Sequence, residues 1–292
     1  LTRDWSSDVC SSDLVMRKIL FLFALLVPGI ALAAQTQMVR LTRFEGKPIA
    51  GVAASGSFNV ELIRSDRTYA VVEVNAEYED ILLFELDGRG VVTVGFRTNA
   101  PLRFENNLVC RARIYLPHPE FIHGSGAASI VCSGGFESNA LQIELNGAAK
   151  LNGPEIAVTG EVNLQCSGAS RMTDAAINCR ELNGILNGAS KADIREFSGN
   201  LFCDISGASR IRMAGNAGIA DIKASGASNF DGQQLSSRDC RIEASSASKV
   251  NTGTVLGDLT ANGNSASSIT YKGDPTIRSI TISSASSIKK AL

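Results

Sequence analysis

Tryptophan occurs once in the 292 residues, at Trp5, and aromatic residues make up only 6% of the chain. Histidine occurs only as His118 and His123, and no C-x-x-C pair is present. Zinc and dithiol redox sites are therefore not expected. There is no P-loop and no G-x-G-x-x-G opening a helix, which removes the common nucleotide-phosphate cradles. An excess of charge is missing too. Lys and Arg number 28 against 29 Asp and Glu, for a net charge of −1. A general nucleic-acid binder should be strongly basic, so nucleic acid is not an expected partner. Long apolar patterns of helical period are absent. What remains is rich in Gly, Ser, Ala and Asn, which suits short strands and tight turns.

The first residues belong to a different object. Met16 opens a secretory pattern over residues 16–33: basic Arg17 and Lys18, the apolar run "ILFLFALLVPGI", and the cleavage triplet Ala31-Leu32-Ala33. The mature chain is expected to begin near Ala34, exported to the periplasm or the cell surface, with no membrane span after cleavage. Residues 1–15, "LTRDWSSDVCSSDLV", read as a translated artefact upstream of that start.

From residue 117 to 292 the chain repeats itself. "CSGASRM", "LNGASKA", "ISGASRI", "ASGASNF", "ASSASKV" and "ISSASSI" are versions of one segment. Their centres fall at Gly126, Gly147, Gly168, Gly188, Gly207, Gly226, Ser246, Ser265 and Ser284, at steps of 19 to 21 residues. A nearly fixed period over about nine units signals a solenoid. Four residues before the centre stand Ile122, Ile143, Leu164, Gly184, Cys203, Ile222, Ile242, Ala261 and Ile280. Two before, the column runs from Gly124 and Leu145 to Gly263 and Ile282, and polar residues alternate with these columns. That is the period of a strand with one wet face. A second short strand follows the centre and carries the apolar column Ile130, Leu151, Met172 through Ile288. The reading is an all-β parallel β-helix, with coils about 4.8 Å apart.

The repeated segment is then a corner. Its central Gly suits positive φ, and the Ser that replaces it at 246, 265 and 284 suggests a turn avoiding that region. The alanine after every centre, Ala127 to Ala285, is expected to point into the corner. Ser and Asn on either side are expected to bond turn backbone or their counterparts in adjacent coils. Residues 38–116 hold five strand-like runs and an early corner at Gly56, and read as the first coil or coils with an inserted hairpin that caps the rod. Lys289 and Lys290 are placed to blunt the far edge.

"GVAASGSFNVELIRSD", "RARIYLPHPEFIHGSGAASI" and the repeated corners resemble a bacterial family of auto-transporter adhesin head domains, the head GIN domain, over roughly residues 40–290. The resemblance implies a right-handed parallel β-helix and an adhesin-like role. It brings no catalytic residues.

Chemistry is sparse in this frame. Cys166, Cys203 and Cys240 fall on inward columns two coils apart, too far to bridge. Cys110 and Cys132 are the pair for which a disulfide stays open. His118, Glu120 and His123 could form a metal or catalytic set, or be ordinary junction residues, and the second reading is favoured. Some β-helices are polysaccharide lyases or hydrolases. The outward carboxylates Glu144, Asp204, Glu243, Asp193 and Asp231 stand two or more coils apart within each column, which gives no glycosidase pair. One outward column stands out. Three residues past the centre come Lys150, Arg171, Lys191, Arg210, Asn229 and Lys249. It is either a solvated face or a stripe for an acidic glycan or lipopolysaccharide phosphate. The expectation is an exported, non-enzymatic binding module with no cofactor, adhesin-like or contacting the cell envelope. The alternatives are a carbohydrate-active β-helix enzyme and a periplasmic structural or sensory module with a protein partner.

Overall fold

The column pattern predicts parallel strands in strict register, and the pairings follow it. In the computed structural model, which describes residues 37–97 and 108–291, Ile122, Ile143, Leu164, Gly184, Cys203, Ile222, Ile242, Ala261 and Ile280 stand opposite one another in consecutive coils. So do Ile130, Leu151, Met172, Ala192, Ile211, Phe230, Val250, Ile269 and Ile288. The protein is a parallel β-solenoid whose inward columns fill its axis. Burying each large apolar side chain there contributes about 1.5–3 kcal/mol. The leader and artefact readings, residues 1–33, lie outside the described residues.

Each coil has three faces, one more than the sequence pattern predicts. The first follows the corner, as in Lys150–Asn152. The third precedes it, as in Leu141–Leu145. Between them lies a second face, seen as Gly135–Ser138 and the start of Glu155–Cys166. It contributes the column Phe136, Ile156, Ile177, Phe197, Gly215 and Leu235, all buried except the half-buried Gly215. Coil length varies around this face. Phe136 is ten residues past Gly126, but Gly215 only eight past Gly207. The ladder absorbs the difference as register shifts, for example between Ile194 and Phe197.

At the N-terminal end, strands Gly51–Ala54 and Asn59–Arg64 flank Gly56 and pair in parallel with Phe121–Gly124 and Ser129–Ser133. Their outer edges are covered. Val91–Phe96, from an antiparallel hairpin with Leu82–Leu86, pairs with the first. Cys110–Leu116 pairs with the second, and is followed outward by Tyr69–Asn75 and Met38–Arg43, both antiparallel. The parallel coils therefore end in covered edges, which protects them from pairing with another chain.

The corners depart from expectation in two ways. First, the alanine after each centre points outward. Ala127, Ala148, Ala169, Ala189, Ala208, Ala227, Ala247 and Ala266 are exposed, and the next residue is the buried one: Ala128, Ala149, then Ser170, Ser190, Ser209, Ser228, Ser248 and Ser267. The buried serines mostly bond turn backbone. Ser190 Oγ donates to the Cys166 carbonyl at 3.2 Å, Ser209 Oγ to that of Ser206 at 2.7 Å, and Ser248 Oγ to that of Ala224 at 3.1 Å. The hydroxyls of Ser170 and Ser228 find no protein partner. Ala208→Leu is accordingly expected to change stability by less than about 0.5 kcal/mol. Ser209→Leu, at a position 1% exposed, should cost about 1–3 kcal/mol by overpacking. Thermal unfolding of the two side by side checks this, and a larger loss at Ala208 contradicts the outward placement.

Second, the serine corners keep positive φ: Ser246 at 61°, Ser265 at 51° and Ser284 at 50°, with Ala266 and Ala285 following them into that region. The cost shows in the backbone. From Ala127 to Ala227, each corner alanine N–H donates to the central carbonyl one coil back, as Ala208 does to Gly188 at 2.7 Å. A Cβ on Gly207 would lie 2.6 Å from that same carbonyl oxygen. Where serine brings a Cβ, the ladder ends. Among the described residues no such bond links Ala247 to Gly226, and Ala266 N–H turns the other way, to Ser284 O at 2.9 Å.

Candidate functional site: a basic column on the first face

Outward residues of the first face stack as faithfully as inward ones. Arg111, Asn59, Ser129, Lys150, Arg171, Lys191, Arg210, Asn229 and Lys249 stand opposite one another in successive strands. Lys150, Arg171, Lys191 and Arg210 thus form four consecutive exposed cations, about 4.8 Å apart along the axis. Lys249 follows after the gap at Asn229. Unit charges at that spacing repel by about 1 kcal/mol per neighbouring pair in water.

The repulsion is not relieved by acids. From residue 117 onward, Arg180, Arg195, Arg212, Arg238, Arg241 and Arg278 each meet a carboxylate. Arg171 and Arg210 are the only described arginines there that do not. The column is bordered on its corner side by the exposed alanines. On the other side run Asn152, Thr173, Asp193 and Arg212, two residues further along each strand. Thr173 Oγ1 donates to Asn152 Oδ1 at 2.6 Å. Arg212 lies 3.9 Å from Asp193 and 3.6 Å from Asp231. Between the two columns is a shallow depression of about 260 Å³, lined by Arg171, Thr173, Lys191, Asp193, Arg210 and Arg212. The sequence reading draws only the carboxylates Asp193 and Asp231 from this bordering column, and does not join Asn152, Thr173 and Arg212 to the basic one.

The other candidates disperse. His118 Nδ1 bonds the Glu137 carbonyl at 2.8 Å, on the rim of a depression of about 630 Å³ that Glu120 and Arg180 also line. His123 Nδ1 instead meets Glu144 Oε2 of the next coil at 3.1 Å. The two imidazoles therefore serve different partners, and among the described residues no group of His, Cys, Asp and Glu is arranged to hold a metal ion. Glu243 accepts a 2.7 Å hydrogen bond from Arg241, which holds its carboxyl below the ordinary range. Asp193 and Asp231 have the Arg212 guanidinium between them, where a glycosidase would need a water or a sugar oxygen.

All six cysteines from Cys110 to Cys240 are buried free thiols. Cys132 lies opposite Leu62, whose other neighbour is Ile114. Cys110 sits four residues before Ile114, about 13 Å along the strand, so the pair left open by the sequence is out of bridging reach. Burial pushes Cys132, Cys166 and Cys240 up to about 12 and Cys110 and Cys179 to about 11, and raises Cys203 further. Such thiols stay neutral and act as small hydrophobes.

The sequence that folds into these coils matches the family described as "Putative auto-transporter adhesin, head GIN domain", over residues 49–199 and again over 155–275. The chain belongs to that family. A second match that begins inside the first is what repeating coils allow. Solved structures similar to this head GIN domain include a "putative lipid binding protein" from Parabacteroides distasonis, 19% identical, covering 88% of this chain and 98% of that one, with a TM-score of 0.60. A "putative adhesin" from the same organism is 16% identical with a TM-score of 0.57, and one from Parabacteroides merdae is 14% identical with a TM-score of 0.55, each with the same coverage of 88% and 98%. At these identities they share the fold of the head GIN domain. Comparison with curated proteins gives no match.

Proposed function

We propose that this chain is an exported, non-enzymatic, adhesin-like module that binds anionic glycan or envelope material through the first-face column. The observation that carries the reading is the unpaired state of Arg171 and Arg210 within four consecutive cations, in coils where the other described arginines are matched to acids. Long flat faces and shallow depressions suit extended contact with a surface. The relatives described as adhesins and as a lipid-binding protein are compatible with a partner at the cell envelope. Arg212, standing between Asp193 and Asp231, weighs against the carbohydrate-active enzyme.

The test is a glycan-array and lipopolysaccharide binding screen at low and physiological salt, beside a variant carrying Arg171→Ser, Lys191→Ser and Arg210→Ser. Binding that weakens with salt and is lost in the variant supports the reading, since exposed charges are screened within about 8 Å at physiological ionic strength. Binding unchanged by the substitutions, or none to any anionic probe, rejects the column as the site.

A further inference from the structure

The backbone fixes the spacing of the positions from which the cations rise. Lys150, Arg171, Lys191 and Arg210 rise from strands that are hydrogen-bonded neighbours, so their bases keep the interstrand distance of about 4.8 Å. A row of cations rising from bases at one regular interval favours anions of matching interval. A pyranose ring, measured between its two glycosidic oxygens, is nearly as long as one coil step. From this match we infer that the column is a site for a linear acidic polysaccharide with a carboxylate on every sugar, laid along the solenoid axis so that each coil meets one residue of the polymer.

The borders of the column fit such a guest. The exposed alanines Ala148, Ala169, Ala189 and Ala208 leave one side free of bulk and charge, so a chain can lie close to the backbone. On the other side Asn152 and Thr173 offer hydrogen-bonding groups at successive coils, suited to sugar hydroxyls. Arg212 there adds a cation beside Lys191 and Arg210, in the shared depression. Asp193 is its counter-ion, and Asp231 shares the same guanidinium from the coil beyond. The row is interrupted at Asn229, so a polymer engages four coils before reaching a gap, and Lys249 lies beyond it.

This inference rests on the binding reading above and can fail separately from it. The measurement is calorimetric titration of the purified protein with polygalacturonate, which is charged on every sugar, and with hyaluronan, which carries a uronic carboxylate on every second sugar. Both are compared at equal carboxylate concentration. Polygalacturonate is expected to bind at least about tenfold more tightly, because each added in-register contact acts at high effective concentration. Affinity for galacturonate oligomers should rise with length up to about four sugars and then flatten, because further sugars meet no consecutive cation. Asn229→Lys closes the gap, and should move that plateau to about six sugars and strengthen binding. This gain does not depend on a variant that is damaged in folding. Equal affinity for both polymers, lost in the triple serine variant, overturns the spacing argument and leaves a general anionic site. A plateau unmoved by Asn229→Lys also overturns it. Binding of neither polymer overturns this inference, and if the lipopolysaccharide screen is negative as well, the binding reading falls with it.

Discussion

Gly215→Ala is expected to destabilise the fold by about 3 kcal/mol or more, the upper range for a residue held in sparsely populated backbone space with no room to relax. Gly215 has φ +124°, a region that L side chains rarely adopt. A Cβ there would lie 2.2 Å from the Phe197 carbonyl oxygen and 2.6 Å from the Phe197 amide nitrogen. Both atoms belong to the backbone of the neighbouring coil, so no side-chain rotation can clear the space. Gly46→Ala is the control. Gly46 also has positive φ, at +69°, but a Cβ there would meet nothing within 4 Å. It should lose only the conformational share, about 1–2 kcal/mol. Urea unfolding of the two variants compares an uncrowded left-handed glycine with one that is both crowded and further from allowed space. Equal losses would contradict any added cost from the close approach and the φ at Gly215.

Phe197→Ala is expected to cost about 3–5 kcal/mol, the range for truncating a buried aromatic ring. Phe197 is 1% exposed and sits in the inward column of the second face, between Ile177 and Gly215. The cavity cannot close from the Gly215 side, because that position has no side chain to move in. In a solenoid each coil contacts only its neighbours, so the damage should be local. Amide hydrogen exchange should show lost protection in the strands Arg171–Leu186, Lys191–Ile205 and Arg210–Ala224, with little change near the N-terminal cap. Uniform loss along the chain would contradict nearest-neighbour stability.

Much of this architecture is legible in the sequence because its columns have a fixed offset from a recognisable corner. The offsets of −4 and +4 reproduce the strand pairing residue for residue, and the same register aligns the exposed cations. The second face is only partly legible in that way. Insertions and deletions collect there: Ile156, Ile177, Phe197 and Leu235 keep one offset of nine from their corners, but Phe136 stands at ten and Gly215 at eight, which breaks the column. The corner alanine misleads for another reason. An invariant small residue suggests tight packing, but the turn aims that side chain outward and buries the next one. The change from Ala128 and Ala149 to Ser170 and its successors marks the inward column. Likewise, serine at the corner centre suggests ordinary φ, yet stacking on the coil below retains positive φ at Ser246 and breaks the carbonyl ladder instead. At the candidate site, the cations follow from spacing alone. Their lack of acidic partners depends on where long side chains reach, which a column of letters does not encode.

Because each coil pairs only with the one before and the one after, duplication of a single unit within the gene would lengthen the molecule without disturbing the cap. A copied unit brings its own corner, its own inward residues and its own outward residue on the first face. Natural selection can therefore adjust the number of cations one at a time while leaving their interval untouched. If the column binds as proposed, relatives that differ in unit number would differ in how long a partner they can grip.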